Sequence, residues 1–163
     1  YHVIPTWSFL NQNGNIKSSK DFKNKVRLVD FFFTSCPTIC PKMTVNMKKI
    51  QQLINTGCLN NIELLSFTVD PSRDSVEKLK EYCNTYNVDS KNWNMLTGDQ
   101  NSIYDVGVNG FLVPNQEDAL APGGFLHSEK MILIDKKNRI RGYYDGTDSL
   151  NIPIIVQHIK SLL

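Results

Sequence analysis

Two stretches of the chain are apolar almost without interruption, and the residues between them are apolar only at every third or fourth position. Residues 26–34 (VRLVDFFFT) and 62–70 (IELLSFTVD) are the continuous runs. Both are short and rich in β-branched and aromatic residues. They predict strands covered on both faces, since a half-wet strand would alternate. Between them, Met43, Met47, Ile50 and Ile54 recur at i, i+4, i+7 and i+11, which is one stripe of a helix over 41–55 that Gly57 ends. Val76, Leu79, Cys83 and Tyr86 form a second stripe and predict a helix over 75–86, started by the turn at 71–74 (PSRD).

The signals downstream are shorter. Residues 93–96 read as a strand and 101–106 as a short helix, and 109–127 read as a long loop carrying Pro114, Pro122, Gly123 and Gly124. Residues 130–135 (KMILID) and 139–144 (RIRGYY) pair as a hairpin across 136–138, and a last helix covers 150–163. Pro153 falls in its first turn, where a missing N–H costs nothing. Residues 1–25 read as turns and short strands around Asn13-Gly14, a hairpin signal. The order β-loop-α-β-α-β-α-ββ-α predicts an α/β, thioredoxin-like fold, a central mixed β-sheet flanked by helices with an N-terminal β-hairpin extension. With no repeat or linker, 1–163 reads as one such domain.

Composition changes this picture little. The hydrophobic fraction is 40%, with eight Phe, six Tyr and two Trp, which is enough for one core. Lys and Arg number 18 against 16 Asp and Glu. The net charge of +2, without a basic stripe interleaved with aromatics, argues against nucleic acid as a partner. Lys48-Lys49 and Lys136-Lys137 read as solvated faces. No apolar run approaches the roughly 20 residues of a membrane helix. A link to a membrane is expected only through an N-terminal anchor.

The candidate chemistry sits between the first strand and the first helix, in Thr34-Ser35-Cys36-Pro37-Thr38-Ile39-Cys40-Pro41. Ligand sites of open α/β sheets gather at the carboxyl edge of the strands, and a helix N-terminus favours thiolate over thiol. The thiols are spaced C-x-x-x-C, not the C-x-x-C of a redox motif. On a helix, residues four apart place their Cβ atoms about 5–6 Å apart, wider than the roughly 3.5–4.5 Å of a relaxed disulfide. That spacing favours bridging by a soft metal, and copper accepts both thiolate and imidazole. Of the three histidines, His2 is near the terminus and His158 is on the last helix. His127 directly precedes a core strand that enters opposite the Cys loop, which makes it the natural third ligand; a lone loop histidine is also often structural. Cys83, Met43 and Met47 read as core by their spacing, and Cys58 as incidental.

At these residues the chain resembles the Sco/SenC family of copper-binding cytochrome c oxidase assembly proteins. The resemblance is carried by FFFTSCPTICPKM (31–43), TVDPSRDSVEKLKEY (68–82), His127 before MILID (131–135) and IPTWSFLNQNGN (4–15). It implies copper, Cu(I) with Cu(II) as a second state, held by Cys36, Cys40 and His127, with Asp70 as an accessory. It also implies a role in building the dinuclear copper centre of cytochrome c oxidase. The partners would be the oxidase's copper-binding subunit and another copper carrier. The place would be the cell envelope, on the periplasmic face and anchored to the inner membrane, or the mitochondrial intermembrane space. The alternative is a thiol-disulfide oxidoreductase reducing the cysteines of that subunit or of another envelope protein, with Cys36 and Cys40 as its catalytic redox pair. A peroxiredoxin-like peroxidase fits poorly, because Phe33 stands where those enzymes place Thr.

Overall fold

A computed structural model describes the backbone of every residue except Tyr1, Asp118, Ala119 and Ala121, and the side chains except, in addition, those of residues 115–117, 122 and 125–127. In chain order its elements are β1 (Ser8–Leu10), β2 (Ile16–Ser18), β3 (Val26–Phe32), α1 (Ile39–Asn55), β4 (Ile62–Thr68), α2 (Val76–Tyr86), β5 (Trp93–Leu96), α3 (Gln100–Asp105), β6 (Asn115–Glu117), β7 (Phe125–His127), β8 (Lys130–Ile134), β9 (Ile140–Asp145) and α4 (Ile152–Leu162).

The two apolar runs form the centre of a five-stranded sheet ordered β5-β4-β3-β8-β9. β3 lies parallel to β4, with Phe31 level with Phe67, and β4 lies parallel to β5. On its other side β3 runs antiparallel to β8, with Arg27 opposite Ile134 and Val29 opposite Ile132. All seven residues of β3 are buried, as expected of a strand covered on both faces. On one face, Phe31 and Phe67 stack at 5.3 Å between ring centroids, and Trp7, Phe9 and Phe111 close over Phe67 at 5.2, 5.8 and 5.5 Å. Burying each such ring stabilises the fold by roughly 1.5–3 kcal/mol. On the other face Phe32 meets Tyr82 of α2 at 5.3 Å, and α1 packs on β4, α2 and α4.

The predicted N-terminal hairpin forms as β1 and β2, paired Leu10 to Ile16. Its turn is built on Asn11, whose Oδ1 accepts from the amides of Asn13 and Asn15 at 3.0 Å each. The hairpin is fastened to the edge strand. The Leu10 and Thr97 amides each donate to the other's carbonyl. Gln12 substitutes for a strand, donating to the Trp93 carbonyl at 2.9 Å and accepting from the Met95 amide at 2.9 Å.

Several boundaries differ from the sequence reading. β3 ends at Phe32, two residues short of the expected position, because beyond it the Thr34 amide donates to a side chain, that of Asp74. The first helix begins at Ile39, placing Pro41 third in the helix, where its missing N–H would have had no intrahelical acceptor. The segment 109–127, read as a loop, contains the small hairpin β6–β7, with Asn115 paired to His127. Its strands are only three residues long, too short to show a period. Among the described residues no helix is long and apolar enough to cross a membrane.

Candidate thiol and metal site

The carboxyl end of β3 leads straight into the Cys loop. The Val69 amide donates to the Phe32 carbonyl at 2.8 Å, and the Cys36 amide donates back to the Phe33 carbonyl at 3.1 Å. Between these, Thr34 is gripped by Asp74. Its amide donates to Asp74 Oδ2 at 3.0 Å and its hydroxyl to Oδ1 at 2.5 Å. The Thr68 hydroxyl, at the end of β4, donates to the same Oδ2 at 2.6 Å. One fully buried carboxylate thus ties together the end of β4, the start of α2 and the residue two before Cys36.

Asp74 was not singled out by sequence reasoning. Its turn was read as starting a helix. In the structure that task falls to Ser75, whose side chain accepts from the Lys78 amide at 3.2 Å, so Asp74 is free to point inward.

Cys36 and Cys40 are both reduced. Cys40 lies in the first turn of α1, but Cys36 lies in the loop before it. The spacing expected of two residues on one helix therefore does not apply, and the loop bends until the two thiols share a hydrogen bond. Cys36 is 8% exposed and Cys40 1%, so Cys36 is the more accessible of the two residues.

The helix terminus was expected to favour thiolate, and at Cys40 other effects outweigh it. Burial foremost, then the hydrogen bond and charge of Cys36 and the charge of buried Asp30, push the Cys40 thiol far above its ordinary value. Asp30 accepts from the Ser66 hydroxyl at 2.5 Å, and Ser66 accepts from Trp93 Nε1 at 3.0 Å. Cys40 thus holds its proton until a cation or an oxidant displaces it.

Asp70, the expected accessory, follows β4 by two residues and so lies at the same edge. It is 1% exposed. Ser72 donates to its Oδ1 at 3.1 Å, but among the described residues its buried Oδ2 has no hydrogen-bond partner. The Arg73 Nε, at 3.8 Å on a largely exposed side chain, is a weak counter-charge. Burial pushes the Asp70 carboxyl up; Ser72 and Arg73 oppose this, and Asp74 adds to it.

His127 ends β7, and its side chain lies outside the described residues. Its backbone is carried to the Cys end of the sheet, because β8 starts three residues later and runs antiparallel to β3. The packing there is close. A Cβ built on Gly146 would sit 3.1 Å from both the Glu129 carbonyl and the Met43 methyl of α1. One built on Gly123 would sit 2.7 Å from the Phe33 ring and 3.3 Å from Pro37 Cδ, and Gly123 has φ +75°. The segment before His127 is therefore pressed onto the Cys loop at a position only glycine suits.

The other two histidines are elsewhere. His2 is exposed, and its carbonyl accepts from the Ile140 amide at 3.3 Å at the start of β9. His158 is exposed and hydrogen-bonds the Tyr144 hydroxyl at 2.6 Å. Met43, Met47 and Cys83 are buried, as their spacing predicted, and Cys58 is exposed. Among the described residues no cluster of three His, Cys, Asp or Glu forms a ready cation cage. Cys36 and Cys40 supply two soft donors, the right chemistry for a thiophilic ion.

A reduced thiol pair at the carboxyl edge of a central parallel strand, entering a helix, with an antiparallel hairpin beside it, defines a thioredoxin-like dithiol protein. The SCO1/SenC family model matches residues 1–163, and the chain belongs to that family. It is 31% identical over 166 residues to a SCO1 protein homolog of Bacillus subtilis, covering 99% of this chain and 82% of that one. Its fold matches a SCO1/SenC family lipoprotein of Bacillus anthracis, with a TM-score of 0.90 at 32% identity, covering 99% and 95% of the two chains. It also matches BsSco, a member of the Sco family of cytochrome c oxidase assembly proteins in which a disulfide switch is described, with a TM-score of 0.87 at 27% identity over 99% and 93%. Copper-bound yeast Sco1, at 22% identity and a TM-score of 0.78 over 100% and 91%, shares the fold.

Proposed function

We propose that this protein is a copper-binding chaperone that assists assembly of the dinuclear copper centre of cytochrome c oxidase, taking copper as cargo on Cys36, Cys40 and His127. The observation that carries the reading is the pair of buried, reduced thiols in contact with each other, with the backbone of His127 delivered to the same sheet edge. Membership in the family supports it, as does copper on the yeast relative. Two thiolates and one imidazole suit Cu(I), and Asp70, whose buried Oδ2 has no hydrogen-bond partner among the described residues, would serve Cu(II) as an accessory oxygen donor. Cys36, the more accessible of the two residues, takes the ion first, and Cys40 and His127 close on it. Release follows by ligand exchange with the thiols of the oxidase's copper-binding subunit, and loading comes from another copper carrier. The work is done on the periplasmic face of an inner membrane, or in the mitochondrial intermembrane space.

The test is copper stoichiometry and affinity under reducing conditions. Wild type binds one Cu(I) per chain, and Cys36→Ser, Cys40→Ser and His127→Ala each weaken binding by orders of magnitude. Uptake indifferent to all three changes overturns the proposal.

A second reading has its own support. Thiols close enough to share a hydrogen bond are also placed to form a disulfide, and a disulfide switch is described for BsSco. In that reading Cys36 attacks a partner disulfide, Cys40 resolves the mixed disulfide, and the partner leaves with two thiols while this chain is oxidised. Reduction of a partner disulfide that survives His127→Ala and ignores copper favours it.

A further inference from the structure

The far end of the sheet holds a feature that neither copper nor thiol chemistry uses. A cavity of about 400 Å³ opens there, lined by Thr6, Ser19, Asn24, Asn138 and five cationic side chains: Lys20, Lys23, Arg27, Lys136 and Lys137. Among the described residues that line it there is no carboxylate. Arg27 is the second residue of β3, so the cavity is about 17 Å along the strand from the end that carries the Cys loop.

The lysines alone would be an ordinary solvated surface, which is how Lys136-Lys137 reads in the sequence. Arg27 changes that. It is 3% exposed. Its Nη1 donates to Asn138 Oδ1 at 2.9 Å and its Nη2 to the Asp135 carbonyl at 3.1 Å, while among the described residues its buried Nε has no acceptor. Burial lowers its pKa to about 10, against the opposing charge of Asp135, so it stays a cation at neutral pH. The neighbouring carboxylates are committed elsewhere. Asp135 accepts from Arg139 and Arg141, Glu63 pairs with Lys25 at 3.1 Å, and Asp21 accepts from the Ser18 amide. Among the described residues none of the four lysines has an ion-pair partner.

A buried guanidinium with an unsatisfied donor, lining a concave pocket whose charged side chains among the described residues are all cationic, is an incomplete hydrogen-bonding arrangement. We infer that this cavity is a binding site for a phosphate-bearing anion, with Arg27 meeting it at the floor and Lys20, Lys23, Lys136 and Lys137 enclosing it at the mouth. A compact oxyanion fits the shape, since a flat acidic protein surface could not reach Arg27. Two sources share the chemistry, a free polyphosphate and the headgroup of an anionic lipid.

The experiment follows the full chain by NMR during titration with pyrophosphate. The Arg27 Nε–H and the amides of Asn24, Lys137 and Asn138 should shift together and saturate. The surface double variant Lys23→Gln/Lys137→Gln should weaken binding about tenfold or more without altering copper stoichiometry. Sedimentation with phosphatidylglycerol vesicles, against phosphatidylcholine vesicles as control, separates the sources. Vesicle binding competed by pyrophosphate identifies the headgroup, and pyrophosphate binding without vesicle binding identifies the free anion. Resonances unmoved at millimolar pyrophosphate overturn the inference. So does binding that the double variant retains, or vesicle binding that pyrophosphate does not compete.

Discussion

Replacing Asp74 by alanine should damage both the fold and the site, and its cost follows from the structure. The carboxylate accepts three hydrogen bonds, two from Thr34 and one from Thr68. Bonds to a charged acceptor contribute about 1.5–3 kcal/mol each when measured singly. The three cannot simply be added, because they share one group. Thr34 is half-buried and regains water when its partner is lost, whereas Thr68 is wholly buried; its hydroxyl still accepts from the Asp70 amide at 3.1 Å, but its own proton loses its acceptor, at roughly 1–3 kcal/mol. Removing a negative charge beside Asp70 returns part of this. The net expectation is a loss of about 3–4 kcal/mol, a large share of the ~5–15 kcal/mol typical of a domain, and a fall in melting temperature of roughly 10 °C for a chain this size. Urea unfolding of the reduced apoprotein measures it, and a double-mutant cycle with Thr34→Val should give a coupling of at least about 1 kcal/mol. Because Thr34 is two residues from Cys36, Cu(I) affinity should fall as well, with Asp74→Asn milder on both readouts. A loss under about 1 kcal/mol with no coupling to Thr34 would refute the claim that this carboxylate holds the Cys loop.

Gly123→Ala forces a Cβ into the Phe33 ring at positive φ; a loss of about 1–3 kcal/mol and weaker copper retention are expected, checked by unfolding and by competition with a Cu(I) chelator. Asp135 is a pH probe: burial would raise its carboxyl, but the Arg139 amide and side chain and Arg141 hold it below its ordinary 3.8. The stabilisation is therefore present above that value and lost as pH falls through the lower folded value. Asp135→Asn should cost about 2 kcal/mol at pH 7, and the gap to wild type should close in acid unfolding curves. Iodoacetamide on the native, reduced protein should label exposed Cys58 first, while Cys83, whose thiol burial pushes up to about 12, reacts only on unfolding; mass spectrometry of timed samples decides this.

The strand-loop-helix that carries Cys36 and Cys40 was readable from local pattern, since a continuous apolar run, a Pro-punctuated loop and a helical stripe each leave a signature a few residues long. So were the buried roles of Met43, Met47 and Cys83, which follow from helical spacing. The side choice of Asp74 was not, because an aspartate in a turn before a helix caps or turns inward according to which neighbour competes, and here Ser75 takes the cap. The hairpin β6–β7 was missed because three-residue strands carry no period. The cationic cavity was missed because its lysines come from the short helical turn before β3 and from the β8–β9 turn, which only the pairing of β3 with β8 brings together around Arg27.

By itself, then, the sequence determined the donor types, their order and the family they resemble, properties that are local and chemical. Tertiary structure alone decided their electrical state and mutual placement. The thiols of Cys36 and Cys40 met because the loop bends outside the helix, and Cys40 stayed protonated because burial near Asp30 outweighs the helix terminus. Dielectric surroundings and distances between remote residues depend on the whole packed chain, and no window of sequence contains them.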